Sequence, residues 1–233
     1  MLTQPTTRRE FLKQGGVLIV SFSLAGPLVE PRPSAAQKTA PASTKTVVAD
    51  EVDAFLSIGP DGAVTVYTGK VDLGTGIRTA LPQMAAEELD VPYERVKLVE
   101  GDTALTPDQG PTWGSLSIQV GGVQIRQAAA TARAALVALA AQQLGVEPAD
   151  CEVRDGVVRA KADPAKQVPY GDLIGDREFR LKVDKAAPLK DPARYTLVGQ
   201  SIPRVDVPAK VTGTFTYMQD VRVPGMLHAR VVR

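Results

Sequence analysis

The sequence predicts an α+β fold. Three observations carry that prediction. Val64 and Val66 alternate with Thr65 and Tyr67 just after an Asp61-Gly62 turn signal. Two stretches repeat apolar residues at helical spacing. A second turn signal stands at Asp155-Gly156 between short Val-rich runs. Period two marks half-buried strands, and recurrence at three and four residues marks a helix face. The coarse order is ββαβαββ followed by more strand-like sequence, a layout of strands and helices around one core.

Residues 1–36 read as an export address. Thr7-Arg8-Arg9-Glu10-Phe11-Leu12-Lys13 precedes sixteen uncharged residues, Gln14 to Val29, and then the small residues Ser34-Ala35-Ala36. Basic, apolar, small is the order of a signal peptide. The paired arginines resemble the twin-arginine type, with Thr7 where Ser is usual. That signal class implies a folded, cofactor-loaded cargo and a periplasmic destination. The other readings are an uncleaved membrane anchor or a chance apolar start. Residues 37–50, rich in Ala, Thr, Pro and Ser, read as a flexible spacer.

An α+β segment is expected over 51–165. Residues 52–58 and 63–69 form a hairpin connected at Gly59 to Gly62. Gly69-Lys70-Val71-Asp72-Leu73-Gly74-Thr75-Gly76 then leads into a helix whose inner face is Ile77, Leu81, Met84, Ala85 and Leu89. Pro82 breaks that pattern: either the regular helix starts near Leu81, or it is bent there. Asp90-Val91-Pro92 ends it, and 94–100 is a strand with Val96 and Leu98 inward. A long irregular stretch, Gly101 to Gly122, is of a length that is usually functional. The longest helix runs from Val123 to Leu144 on a seam of Ile125, Ala129, Ala132, Leu136 and Leu139. Residues 151–160 are a second hairpin. Pro, Lys and Asp make 166–195 read as a surface linker, and 196–233 reads as strand.

Composition narrows the function. Apolar residues make up 44% of the 233, so a core is expected, and 27 basic against 26 acidic residues give no general field for nucleic acid. One Cys and one His are too few for a zinc site or a four-thiolate cluster. His228 lies near the end, in a structural or solvent-facing setting, and Cys151 reads as a buried inert thiol. Of the neighbours Glu87 and Glu88, one is expected on a solvated face and the other in a cap or salt bridge. Asp102 reads as a turn residue. Trp113 either stacks on a ligand or wedges its loop.

Two segments could carry chemistry. Gly74-Thr75-Gly76 stands at a strand-to-helix junction, where bare backbone N–H groups and a helix start favour anions. Gly114-Ser115-Leu116-Ser117-Ile118-Gln119-Val120-Gly121-Gly122 adds two hydroxyls and an amide before the next helix. Two helix starts facing one pocket suit a phosphorylated or dithiolene-bearing ligand. From the residues alone, both remain open as ordinary glycine turns. A dinucleotide fingerprint is absent, because Thr79 stands where its third glycine would be.

Spacing adds a resemblance. Gly69-x-Val71-x-Leu73-Gly74-Thr75-Gly76, Thr79, Gln83, Ala86-Glu87-Glu88-Leu89, Gly101-Asp102-Thr103, Pro107, Gly114-Ser115-x-Ser117 and Gly121-Gly122 together resemble the second molybdopterin-binding region of the xanthine dehydrogenase and aldehyde oxidase family. Thr75 replaces the Gln common there, as in the isoquinoline-oxidoreductase-like branch. The resemblance implies a molybdopterin-type molybdenum cofactor, the cytosine dinucleotide form being one candidate. Gly74, Thr75 and Gly76 would lie near the metal; Gly114, Ser115 and Ser117 would hold the pterin or phosphate end, with Gln119 added by position. Val198-Gly199, Arg204-x-Asp206-x-Pro208-x-Lys210, Gly213, Tyr217, Asp220 and Pro224-Gly225-Met226-Leu227-His228 resemble the opening of that family's hammerhead-type α/β domain. The expected whole is therefore a molybdopterin-binding segment followed by a truncated hammerhead start.

By resemblance, the function is hydroxylation of an aldehyde or N-heterocycle with water-derived oxygen. Iron–sulfur clusters would sit on a small partner subunit, as this chain lacks their ligands. The general-base glutamate motif would lie in the remaining part of the large subunit, so the chain is expected to be incomplete and inactive alone. The alternatives are an exported binding or assembly module that kept the fold, or an unrelated periplasmic α+β protein.

Overall fold

The computed structural model describes residues 45–232. The leader at 1–36, and 37–44 of the spacer, lie outside the described residues. Among the described residues no helix is long and apolar enough to cross a membrane.

The first hairpin is shorter than the apolar run suggests. Val52–Phe55 is one helical turn, α1, and strand β1 covers only Leu56–Ile58. All four residues of α1 are buried, together with Leu56 and Ile58. Successive side chains of a helical turn point about 100° apart, so burial of all four means that the turn is covered on every side. Within it, the Asp53 carboxylate accepts N–H bonds from Phe179 and Arg180, both at 2.7 Å. β1 pairs antiparallel with β2, Val64–Thr68, in the register Leu56↔Val66 and Ile58↔Val64.

From β2 the chain enters helix α2, Ile77–Leu89, and returns as β3, Val96–Glu100, which pairs parallel to β2 with Val64 opposite Val96. A parallel pair requires such a crossover. Ile77, Leu81, Ala85 and Leu89 are buried on one face. The helix is already regular at Ile77, so a start near Leu81 is excluded; buried Pro82 lies within the helix.

The irregular stretch ends earlier than expected. A π-helical turn, Ser117–Gly122, runs directly into α3, Val123–Leu144. Gly121 and Gly122 are thus helical residues that let other side chains approach. A Cβ on Gly121 would lie 3.0 Å from Lys70 Cγ, and one on Gly122 would lie 2.9 Å from Met84 Cε. On α3 the seam begins with buried Ile125, Ala129, Ala132 and Leu136, but Leu139 is 44% exposed and Ala140 is buried instead. A helix of 3.6 residues per turn drifts off a 3.5-residue pattern.

The second sheet is antiparallel, in the order β4-β5-β6. β4, Cys151–Arg154, and β5, Val157–Ala160, join through Asp155 and Gly156, both at positive φ (54° and 75°), as a two-residue hairpin of this kind requires. β6, Asp163–Pro169, is an edge strand. Its Pro, Lys and Asp content is what edges carry against unwanted pairing, so the composition that suggested a linker belongs to a strand.

The rest of 166–195 also departs from the linker expectation. Tyr170–Leu173 forms a helical turn, α4, and Val168, Tyr170, Leu173 and Ile174 join the core. Glu51 bridges to Lys182, and Val183 N–H donates to the Asp50 carbonyl at 2.7 Å. Residues 196–232 contain a short helix, α5 (Val207–Val211), and no strand. Strand-forming residues need a paired neighbour, and none of the described residues provides one. Met218 and Leu227 are accordingly 90% and 93% exposed.

Candidate functional site

The two glycine-rich loops leave the body from stems that are bonded to each other. At the end of β2, Thr68 Oγ1 and Gly69 N–H both donate to Gln109 Oε1 (2.6 and 3.0 Å). The Gln109 amide nitrogen donates to Gly121 O and Gln124 Oε1. Buried Lys70 donates through Nζ to the carbonyls of Gly110 and Pro111, at 3.2 and 2.8 Å. Val71 N–H donates to Thr112 Oγ1 at 3.0 Å. The strands of this stitching lie about forty residues apart in sequence. Gly69 makes it possible: a Cβ there would lie 2.2 Å from the Pro107 carbonyl oxygen.

The first loop is organised from within. Gly74 and Gly76 have φ values of 95° and 86°, open to glycine and costly for other residues. Their N–H groups, together with that of Arg78, donate to the Asp72 carboxylate at 2.7, 3.3 and 3.1 Å. Burial would raise the Asp72 carboxyl, but the Arg78, Gly74 and Gly76 N–H groups outweigh it and hold it below its ordinary value. These two glycine donors, expected for a ligand, are therefore already committed to Asp72. Thr75 is exposed, and its hydroxyl has no partner among the described residues.

The second loop is more open. Gly114 and Ser115 both take left-handed φ values, 54° and 61°, and Ser115 is exposed. Ser117 and Gln119 lie on the π-helical turn, not in a loop, because the helix begins six residues before the expected start. The side chains of Ser115, Ser117 and Gln119 make no hydrogen bond to the described residues. Trp113 is 68% exposed, so it does not wedge the loop. The stems are joined, although no hydrogen bond links Gly74–Gly76 with Gly114–Gln119.

These residues fit an anionic pterin cofactor in part. The donor set is neutral, made of hydroxyls, an amide and the leading N–H groups of a helix start. The nearby carboxylate, Asp72, is occupied by backbone donors. A Cβ at Gly74 would meet nothing within 4 Å, so that face is open to a ligand.

A second constellation surrounds Glu87 and Glu88: the expected salt bridge is there, but neither carboxylate lies on a solvated face. Glu87 and Glu88 are both buried, at 2% and 0% exposure. Glu87 Oε1 accepts Lys190 Nζ at 2.7 Å, and its Oε2 accepts the N–H groups of Thr196, Leu197 and Val198. Glu88 binds Arg126 Nε at 3.0 Å, Arg133 Nη2 at 3.1 Å and Lys190 N–H at 2.7 Å. Lys190 Nζ and Arg133 also reach Asp90. Burial would raise Glu87 and lower Lys190. Lys190 with the Val198 and Leu197 N–H groups reverses the first, and Asp90 with Glu87 reverses the second, so each is stabilised in its charged form. The cluster fastens 184–198 onto α2 and α3; it is structural. Adjacent acids on a helix gave no sign of this, because their cations come from α3 and from a segment a hundred residues on.

Comparison with known proteins shows the family. A family model described as molybdopterin cofactor-binding domain matches residues 32–223. The B chain of nicotinate dehydrogenase from Pseudomonas putida is 40% identical over 230 residues, covering 99% of this chain and 18% of that protein. The beta chain of isoquinoline 1-oxidoreductase from Brevundimonas diminuta is 30% identical, covering 97% of this chain and 33% of that protein. The structure of reconstituted CO dehydrogenase from Oligotropha carboxidovorans is 28% identical, covers 60% of this chain and 18% of that one, and has a TM-score of 0.48. The chain thus spans between 18% and 33% of the length of these two curated relatives. Because the family match takes in both glycine-rich loops and their joined stems, the chain belongs to the molybdopterin cofactor-binding domain family, as a molybdenum-binding subunit of the xanthine dehydrogenase type.

Proposed function

We propose that this chain holds part of the molybdopterin site of an oxidoreductase that hydroxylates an N-heterocycle or an aldehyde. The observation that carries the reading is the set of uncommitted donors on Thr75 and Ser115, in two loops with joined stems, and on Ser117 and Gln119, on the π-helical turn that follows the second loop. Nicotinate and isoquinoline, in the names of the two relatives, favour an N-heterocyclic substrate. When bound, the cofactor supplies the two-electron oxidation that hydroxylates carbon with oxygen from water. The chain's own residues bind and orient. Ser115 and Ser117 offer hydroxyl donors to the pterin or phosphate end, and Gln119 an amide. Thr75 presents a short hydroxyl on the side expected to face the metal. Gly74 keeps that surface bare.

The cytosine dinucleotide is the form we propose to test first. Electrons leave through iron–sulfur clusters on a partner subunit, since one Cys cannot hold them. Export to the periplasm through Arg8-Arg9 completes the proposal.

The test is cofactor retention. In the complete enzyme, S115A/S117A should retain at most a tenth of the wild-type molybdenum and released pterin per chain while remaining folded. Wild-type retention in that variant would overturn the assignment of these residues. Lys at both Arg8 and Arg9 should abolish periplasmic accumulation; unchanged export would remove that part.

A further inference from the structure

The segment after residue 198 carries a polar cluster that the cofactor reading does not use. Arg204 donates through Nε and Nη2 to both oxygens of Asp206, at 3.0 and 2.8 Å. Lys210 Nζ binds the same carboxylate from the next turn. Arg204 and Lys210 hold the Asp206 carboxyl well below the usual carboxylate range. Asp206 is itself buried, although α5 beside it is largely exposed.

The third guanidinium nitrogen is turned elsewhere. Arg204 Nη1 donates to the Gly74 carbonyl at 3.1 Å, across 130 residues of sequence. The guanidinium also lies flat against Gly76, where a Cβ would sit 3.5 Å from Cζ. Next to it, Val205 N–H donates to buried Thr79 Oγ1 at 3.1 Å, in the first turn of α2. Phe215 adds a second attachment, its ring 5.7 Å from the Arg78 guanidinium and 5.1 Å from Lys210 Nζ. On the other side of the loop, Asp72 gathers the Gly74, Gly76 and Arg78 N–H groups, while Glu100 accepts Asp72 N–H and pairs with Arg78.

The loop Gly74–Gly76 is therefore held from two faces: N–H groups by Asp72, carbonyl and α-carbon by Arg204. A glycine loop with two left-handed residues has many conformations open to it. Apolar burial does little here, because Val205, Val207 and Val211 are exposed. The bidentate Asp206 pair fixes the guanidinium plane, as a planar fork allows and an ammonium does not.

We propose that Arg204 is a positioning residue for the Gly74–Gly76 loop, oriented by Asp206 and Lys210, so that docking of 203–211 sets the surface offered to the cofactor. This rests on the cofactor reading for its purpose, and its structural part is tested without cofactor. Amide hydrogen exchange is measured on the full chain free of molybdopterin, in wild type, R204M and R204K. Exchange at residues 74–78 should rise at least tenfold in R204M while Val123–Leu144 keeps its wild-type rate. R204K, which keeps charge but not the fork, should fall between the two. Should R204M fail to fold, K210M should give a smaller acceleration confined to the same residues. Unchanged exchange at 74–78 in the folded variant, or equal acceleration along α3, would overturn the proposal. Either result leaves the cofactor reading standing, because that reading is decided by molybdenum retention in the complete enzyme.

Discussion

The two ends of α2 each hold carboxylates, in opposite electrostatic settings. At the N-terminal end, Asp72 meets the free N–H groups of the helix start and its positive pole. Asp72 takes those donors alone, Glu100 and Asp206 are each paired with an arginine beside it, and the surface around Thr75 stays open. At the C-terminal end, Glu87, Glu88 and Asp90 stand against the negative pole, which disfavours them. Arg126, Arg133 and Lys190 surround them, and the end is sealed under residues 188–198. The difference separates a surface kept available from a joint that holds the chain together. The cations at the two ends differ in what they are bonded to: Glu88 and Glu87 are buried and need theirs, whereas Arg78 and Arg204 at the glycine loop are already paired with Glu100 and Asp206.

The sharpest way to break this comparison is Glu88→Ala. It leaves the buried Lys190 N–H without its acceptor and takes their shared anion from the half-buried Arg126 and Arg133, and the expected loss is about 1–3 kcal/mol by urea unfolding. A loss under 1 kcal/mol would mean that the sealed end is not the joint described. Gly69→Ala comes next. Its Cβ would press on the Pro107 backbone, where no flexible side chain can give way, and overpacking of this sort costs about 1–3 kcal/mol. Exchange should accelerate at both 68–71 and 107–112; acceleration in one stem alone would contradict their coupling.

Asp72→Ala should cost about 0.5–2 kcal/mol, the range for losing a carboxylate that caps a helix start. The effect should be concentrated in exchange at Gly74–Arg78. The pH dependence has a definite sign. Glu87 and Asp72 are both held below their ordinary values, so their contribution is full above about pH 4–5, the unfolded carboxylate range, and is lost as pH falls through the folded values. Glu87→Gln should flatten the acid limb of a urea-midpoint titration more than Asp72→Asn, because Glu87 is more deeply buried; the reverse order would refute the contrast between the ends. The smallest effect belongs to Thr75→Ala and Ser117→Ala. With no protein partner for either hydroxyl, stability should stay within about 0.5 kcal/mol of wild type. A loss above 1 kcal/mol would show that the open surface is structural.

Local chemistry was legible wherever one turn decides the outcome. Asp155-Gly156 forms its hairpin, and Gly76 and Asp90 bound α2. The bounds of α3 follow from its alanine-rich pattern, although Leu139 shows that a seam read at 3.5 residues drifts by the fourth turn. Gly121 and Gly122 mark the limit of such reading. A glycine that turns the chain and one that admits a neighbour look alike in sequence, and here the neighbours are Lys70 and Met84.

The sequence by itself determined the α+β class, the strand and helix order from Leu56 to Ala160, and the first loop with the start of the second. Those depend on side-chain period and on φ preferences, properties of a few adjacent residues. Only the tertiary structure decided where the free energy of burial is met. It committed the Gly74 and Gly76 N–H groups to Asp72 and sank Glu87 and Glu88 among three cations. It drew 166–195 into the body, and left 196–232 without a strand to pair with. The physical reason is the same in each case. A buried charge or an unpaired backbone group must find its complement in space. Asp72 finds it within four residues, in a loop conformation that only the fold fixes; the partners of Glu87, Glu88 and Arg204 lie about forty to 130 residues away, beyond any pattern that neighbouring residues encode.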